Sequence, residues 1–211
     1  MTPSAAAALA LVRDAAQFKW YLIPLLLIVL QAYGEQIAER RWSVVLGASA
    51  FWLMDWINEI WNALFFHFNG YAPVWATPDH GSGYVILIGL NIEISFMFAM
   101  MGLYAMRQLP SDAAARIFGI NNRWFLAIVN SFLCVLVEIV LNRIGALTWD
   151  LPYWNARWPW LIFLIGYLPF FLVGYRVHDL DDTGRQVRVV GALAATVAAA
   201  LLVFGGVLHW I

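Results

Sequence analysis

Long apolar stretches broken by short polar clusters run through the chain, and each stretch is long enough to cross a bilayer as a helix. The pattern predicts six helices, over 20–38, 42–67, 83–106, 123–147, 158–175 and 189–210. Breakers separate them: Pro73 and Pro78, Pro110, Pro152, and Asp181-Asp182-Thr183-Gly184. Pro24 falls within the first helix, which a membrane span tolerates. A cleaved signal peptide is the competing reading of this first stretch, because charged residues precede an apolar core. The Gln31, Gly34 and Glu35 that follow lack a small-residue cleavage pattern, so a helix is expected. Residues 1–16, with an Ala run, Arg13 and Asp14, read as a short interfacial helix or a frayed end.

Composition agrees with this pattern. Of 211 residues, 63% are hydrophobic and 12% charged, whereas a soluble domain is nearer half apolar and a quarter charged. The expected fold class is all-α: a polytopic transmembrane bundle forming one integral membrane domain over 1–211. A β-barrel would need short alternating segments instead. The net charge of −1 and the lack of a basic block give no reason to expect nucleic acid. Cys134 is the single cysteine, so no intrachain disulfide forms. The loops after helices one, three and five hold Arg40, Arg41, Arg107, Arg116, Arg123, Arg176, Arg185 and Arg188; the other side holds Arg13, Lys19, Arg143 and Arg157. The positive-inside rule then puts both termini outside the cytoplasm, in what is expected to be a bacterial inner membrane.

Candidate chemistry lies in the acids that interrupt these helices. Ionisable groups within membrane helices usually face the protein interior and mark function. Asp55, Glu59 and Asn62 stand at i, i+4 and i+7 on one face of helix two, beside Asn58 and Trp61. Glu93, two residues after Asn91, is expected roughly 15 Å below the start of helix three, with Glu138 at roughly the same depth in helix four and Glu59 at about 12 Å. Asn130, Cys134, Glu138 and Asn142 follow at four-residue steps. A possible parallel internal repeat is visible: Pro73 and Trp75 follow Glu59 by 14 and 16 residues, as Pro152 and Trp154 follow Glu138. Catalytic candidates are therefore Glu59, Glu93, Glu138 and Asp55. The bland alternative is that these groups tie helices together by hydrogen bonds of about 1 kcal/mol each.

Twelve tryptophans partly form an aromatic belt at helix ends. Trp149, Asp150, Tyr153, Trp154 and Asn155 could roof a cavity above Glu138, and aromatic faces there could steady a cation. Substrate-binding candidates are thus Asn58, Trp61, Asn62, Asn91, Asn142, Trp149, Tyr153 and Trp154. His67 and His80 flank the loop nearest the acids; interfacial loop positions, a proton route and a metal site compete as readings. Neither Glu-x-x-His nor HExxH occurs, so no metal is expected, and no phosphate loop or haem signature implies a cofactor.

The segment Trp56-Ile57-Asn58-Glu59-Ile60-Trp61 resembles the integral-membrane terpene cyclases of fungal meroterpenoid pathways. Asp179-Leu180-Asp181-Asp182 has the DxDD pattern of soluble class II terpene cyclases, although a solvated turn explains it more simply. The resemblance implies acid catalysis on an isoprenoid. Together these readings predict a membrane-embedded isomerase or cyclase acting on an isoprenoid or lipid. The alternatives are a proton-coupled transporter or channel, and a non-catalytic membrane subunit.

Overall fold

All six apolar stretches contain a helix, but one helix begins much later than its hydrophobicity suggests. The computed structural model describes residues 1–78 and 83–211. In chain order these form α1 (Pro3–Leu11), a 3-10 turn at Ala15–Gln17, α2 (Leu22–Ala38), α3 (Trp42–Asn69), the strands β1 (Val85–Leu87) and β2 (Leu90–Asn91), α4 (Ile92–Arg107), the strands β3 (Arg116–Ile117) and β4 (Ile120–Asn121), α5 (Asn122–Arg143), a π-helical segment Ile162–Tyr167, α6 (Leu168–His178), α7 (Thr183–Ala200) and a second π-helical segment Leu201–Val207.

The delayed helix is α4. Residues expected to open it form instead an antiparallel hairpin, β1–β2, with its turn at Ile88–Gly89. Asn91 stops the strand and starts the helix, its side-chain oxygen accepting the Ile94 N–H at 2.8 Å. The hairpin β3–β4 repeats the device: Gly119-Ile120 leads to Asn121, which accepts the Arg123 N–H at 3.0 Å and caps α5. The string Gly-aliphatic-Asn precedes both helices. The last helix starts six residues before its expected start, because Asp182 caps it through the N–H groups of Gly184 and Arg185.

Small residues set where the bundle is tight. α3 is its axis, with α4, α6 and α7 packed around it and α2 lying against α4. Gly47 of α3, Gly102 of α4 and Gly174 of α6 let the three backbones meet: a methyl on Gly102 would lie 2.9 Å from the Ala48 carbonyl, and one on Gly174 3.1 Å from the Gly47 carbonyl. Beside this crossing lies a cluster of Phe51, Phe98, Phe170, Phe171, Tyr175 and Met106. By contrast α4 and α5 barely touch, and α5 reaches the bundle mainly through α6 and the π-helical segment before it.

Both termini lie on one face. The Arg13 guanidinium donates to the Ile211 carbonyl at 3.0 Å, and Trp210 stacks on His67 near the end of α3. On this terminal face α1 buries Ala5, Ala8 and Leu11 against the end of α3 and the hairpin turn. Thr2 and Ser4 hydroxyls both donate to Asp150, and the Arg13 N–H bonds the Val85 carbonyl at 2.8 Å. The N-terminal segment is therefore a docked helix rather than a frayed end.

Candidate functional site

On the terminal side of the glycine crossing, the same helices separate around three acids. Asp55, Glu59 and Glu138 are 2%, 3% and 6% exposed and line one cavity of about 50 Å³, room for a few water-sized groups. α3 supplies Asp55, Asn58 and Glu59; α5 supplies Glu138; the hairpin turn supplies Gly89. The π-helical segment puts Gly166 and Tyr167 in the opposite wall. Its i→i+5 pattern, with the Leu168 N–H on the Phe163 carbonyl, precedes Pro169, which has no N–H to continue an α-helix. The Tyr167 phenol comes within interaction range of Glu138.

Each glutamate is held by one indole. Trp75 Nε1 donates to Glu59 Oε1 at 2.9 Å, and Trp149 Nε1 donates to Glu138 Oε1 at 3.1 Å. Glu59 Oε2 and Asp55 Oδ2 are buried without a hydrogen-bond partner among the described residues. No Lys, Arg or His is among the described residues lining the cavity. The two segments of the sequence echo converge here: Trp75 and Trp154 stack at 5.6 Å, and both line the cavity. Beside them, Ala76 and Thr148 exchange backbone hydrogen bonds of 3.1 and 2.9 Å. The partners are not equivalent, since Glu138 takes its indole from Trp149 and not from Trp154.

A second opening adjoins this one. A groove of about 240 Å³ runs between the separated α4 and α5, over Met97, Met101, Leu133, Cys134 and Val137, and Glu138 and Tyr167 also line it. Met97, Leu133 and Val137 are exposed on the outside of the bundle, so the groove opens sideways.

Glu93 does not join the other acids. It is the second residue of α4, not a mid-helix position, because the hairpin displaced the helix start. Its carboxylate accepts the Gly83 N–H and the Tyr21 hydroxyl. Several amide candidates are committed to backbone. Asn62 donates to the Trp75 carbonyl and accepts the Val74 N–H, both at 2.8 Å, clamping the loop that carries Trp75. Asn142 donates to the Leu147 carbonyl at 3.0 Å, and Asn91 is the cap of α4. Trp61 packs beside Trp75 and Phe65 outside the cavity lining. Tyr153 lies with Trp158 and Trp160 in a separate surface recess. Of the binding candidates, Asn58 and Trp154 line the cavity and Trp149 reaches it through Glu138. His67 stacks on Trp210, away from the acids; His80 lies outside the described residues. No cluster of metal-ligating side chains occurs among the described residues.

The DxDD string is a structural turn. Asp179 accepts two hydrogen bonds of 2.8 Å from Arg123 and one contact of 2.9 Å from His178, while Asp182 caps α7. Sequence reasoning missed Gly89 and the Tyr167 wall. The Gly-aliphatic-Asn string pointed to the first, and Pro169 to the second.

An uncharacterized protein of Archaeoglobus fulgidus is 54% identical over 210 residues, covering all of this chain and 99% of its own length. A second uncharacterized protein of that archaeon is 51% identical over 53 residues, a quarter of this chain and 95% of its own length. No solved structure matches at a significant level. These relatives are archaeal and lend no support to a bacterial membrane. The terpene cyclase resemblance over Trp56–Trp61 is overturned as well, because the family model that matches, over residues 2–206, is a different one. This chain belongs to an uncharacterized membrane protein family.

Proposed function

We propose that this chain is a membrane-embedded acid–base enzyme whose lipid-soluble substrate enters sideways from the bilayer. α5 and the run Thr183–Val207 are each long and apolar enough to cross a membrane, and the shorter α2, α4 and α6 complete a six-crossing bundle around α3. α4 alone is about 24 Å long, short of the roughly 30 Å hydrocarbon core. The buried hairpin β1–β2 makes up the remaining depth, with its backbone shielded inside protein as a non-helical segment in lipid requires.

The carrying observation is the apolar groove between α4 and α5 that Glu138 lines, while Glu138 also shares the adjoining cavity with Glu59 and Asp55. A carboxyl in the wall of a lipid-facing groove is placed to give a proton to, or take one from, a substrate lying there. A second carboxyl beside it can complete the exchange. Isomerisation is the reaction class this fits, since one proton is given and another removed with no redox change. The phenylalanine cluster beside Phe51 lies next to Asp55 and supports a one-sided chamber over a through-going proton path.

The test compares lipids that co-purify with wild type and with Glu138→Gln, read by mass spectrometry. A species enriched on the variant and converted by added wild-type protein supports the enzyme. Identical lipid profiles together with proton flux through wild-type vesicles would replace it by a transporter. Identical profiles without flux would leave the acids as helix ties.

A further inference from the structure

Three carboxyl groups share a cavity whose described lining offers no cationic side chain, and two of their oxygens, Asp55 Oδ2 and Glu59 Oε2, are buried without a donor. Buried acceptors of this kind need donors, and a carboxyl that ionises there needs a positive charge beside it. An alkylammonium group supplies both, with three N–H donors on one cationic centre. The cavity is of head-group size at about 50 Å³. Its indole walls, Trp75 and Trp154, present faces that attract cations. The adjoining groove has a different character, with Met97, Met101, Leu133 and Val137 along its sides. Its α5 wall, from Asn130 to Leu141, spans about 16 Å of helix, enough for one extended hydrocarbon chain.

We infer that the substrate is a single-chain amphiphile with an amine head, its ammonium seated between Asp55 and Glu59 and its chain lying in the α4–α5 groove. This rests on the acid–base reading above and names the class of molecule that reading left open. Glu138 lines both spaces, so it faces the junction of head and chain. The bonds nearest the nitrogen are therefore the ones within its reach.

The experiment titrates the full-length protein in nanodiscs of zwitterionic lipid with dodecylamine, dodecanol and dodecanoate at pH 7, where the amine is protonated. Tryptophan fluorescence reports binding, because Trp75 and Trp154 line the cavity. Dodecylamine is expected to bind about tenfold more tightly than dodecanol, one charge-assisted hydrogen bond's worth, and dodecanoate most weakly. Asp55→Asn and Glu59→Gln should each bring the amine-to-alcohol ratio close to one. Equal affinities for amine and alcohol in wild-type protein overturn the inference without needing any variant, and so does a preference that both variants keep. If dodecanol binds without an amine preference, lateral entry stands and only the head-group assignment falls. If none of the three binds, the enzyme reading falls with it.

Discussion

Placing a methyl group on Gly89 is the sharpest probe of how the hairpin shapes the acid chamber. A Cβ there would lie 2.6 Å from Glu59 Oε2 and closer still to the Trp75 indole nitrogen, where ordinary contact begins at 3.4 Å. Relieving the carboxyl contact alone needs a shift of about 0.8 Å, the difference between those two distances. That shift strains or breaks the 2.9 Å bond between Trp75 and Glu59. Overpacking a filled site costs about 1–3 kcal/mol, and the hydrogen bond to a buried carboxyl adds about 1.5. Gly89→Ala should therefore destabilise the protein by about 2.5–4.5 kcal/mol and weaken ligand binding in the chamber. Trp75→Phe removes the clashing indole edge, so the double variant should be less destabilised than the sum of the singles by about 1 kcal/mol. Thermal unfolding in one detergent, measured across the four proteins of the cycle, reads this directly. Additive losses would refute the packing of the hairpin against Glu59. Gly119→Ala is the control: no atom lies within 4 Å of its added methyl, and its φ of +82° leaves only backbone strain, about 1 kcal/mol, with no effect on the chamber.

Three further outcomes follow from other parts of the fold. Asp179→Ala leaves the Arg123 guanidinium without its two-point partner and should cost about 2 kcal/mol in chemical denaturation. Partial burial alone would push the Asp179 carboxyl up, but the Arg123 hydrogen bonds and the adjacent His178 outweigh it and hold it below the ordinary carboxylate range. A lowered folded pKa gives stability that is full above the unfolded value and lost as pH falls through the folded one. Wild type should accordingly lose stability below about pH 4, and a variant whose acid limb is unchanged would contradict the pairing. Asn91→Ala removes the cap of α4 and should cost about 1 kcal/mol, with hydrogen exchange rising first at Ile92–Ile94. Leu133→Trp fills the groove from an exposed position and should reduce dodecanol binding at least about tenfold while shifting stability by less than about 0.5 kcal/mol.

The six long helices and their order were legible because long apolar runs leave few alternatives, whereas the seventh, α1, was open between a short helix and a frayed end. Helix starts were less so. Hydrophobicity treats Val85-Ile86-Leu87-Ile88 as helix as readily as strand, and only Gly89 and the capping Asn91 distinguish the two. That one misreading moved Glu93 from mid-helix to the first turn, out of reach of the other acids. Asp55 and Glu59 were placed correctly relative to each other because four-residue spacing fixes a helical face whatever the ends do. Three of the amides share one feature that spacing does not reveal: Asn62 from within α3, Asn91 at the start of α4 and Asn142 in the last turn of α5 each bond backbone groups of a loop or helix end. Trp149 was legible as part of a roof above Glu138, but not as its direct hydrogen-bond donor, because the loop between them has no periodic structure to count along.

The proposed lateral route into the chamber is supported by what covers the other sides. On the terminal face, α1, the hairpin turn and the paired segments at Ala76 and Thr148 lie over the acids, tied by Thr2, Ser4 and Arg13. Toward the basic face, the Gly47–Gly102–Gly174 crossing brings three backbones into contact beside a cluster of four phenylalanines. What stays open is the seam where α4 and α5 barely touch, Met101 meeting Cys134 at 3.4 Å. α4 is short because its first two turns are replaced by β1–β2, and the hairpin turns inward onto Glu59 instead of outward onto α5. The feature that hydrophobicity misread is also the one that packs over Glu59 and Trp75. If Gly89→Ala pushes the hairpin outward, the seam should narrow as the roof lifts, so dodecanol binding and stability should fall together.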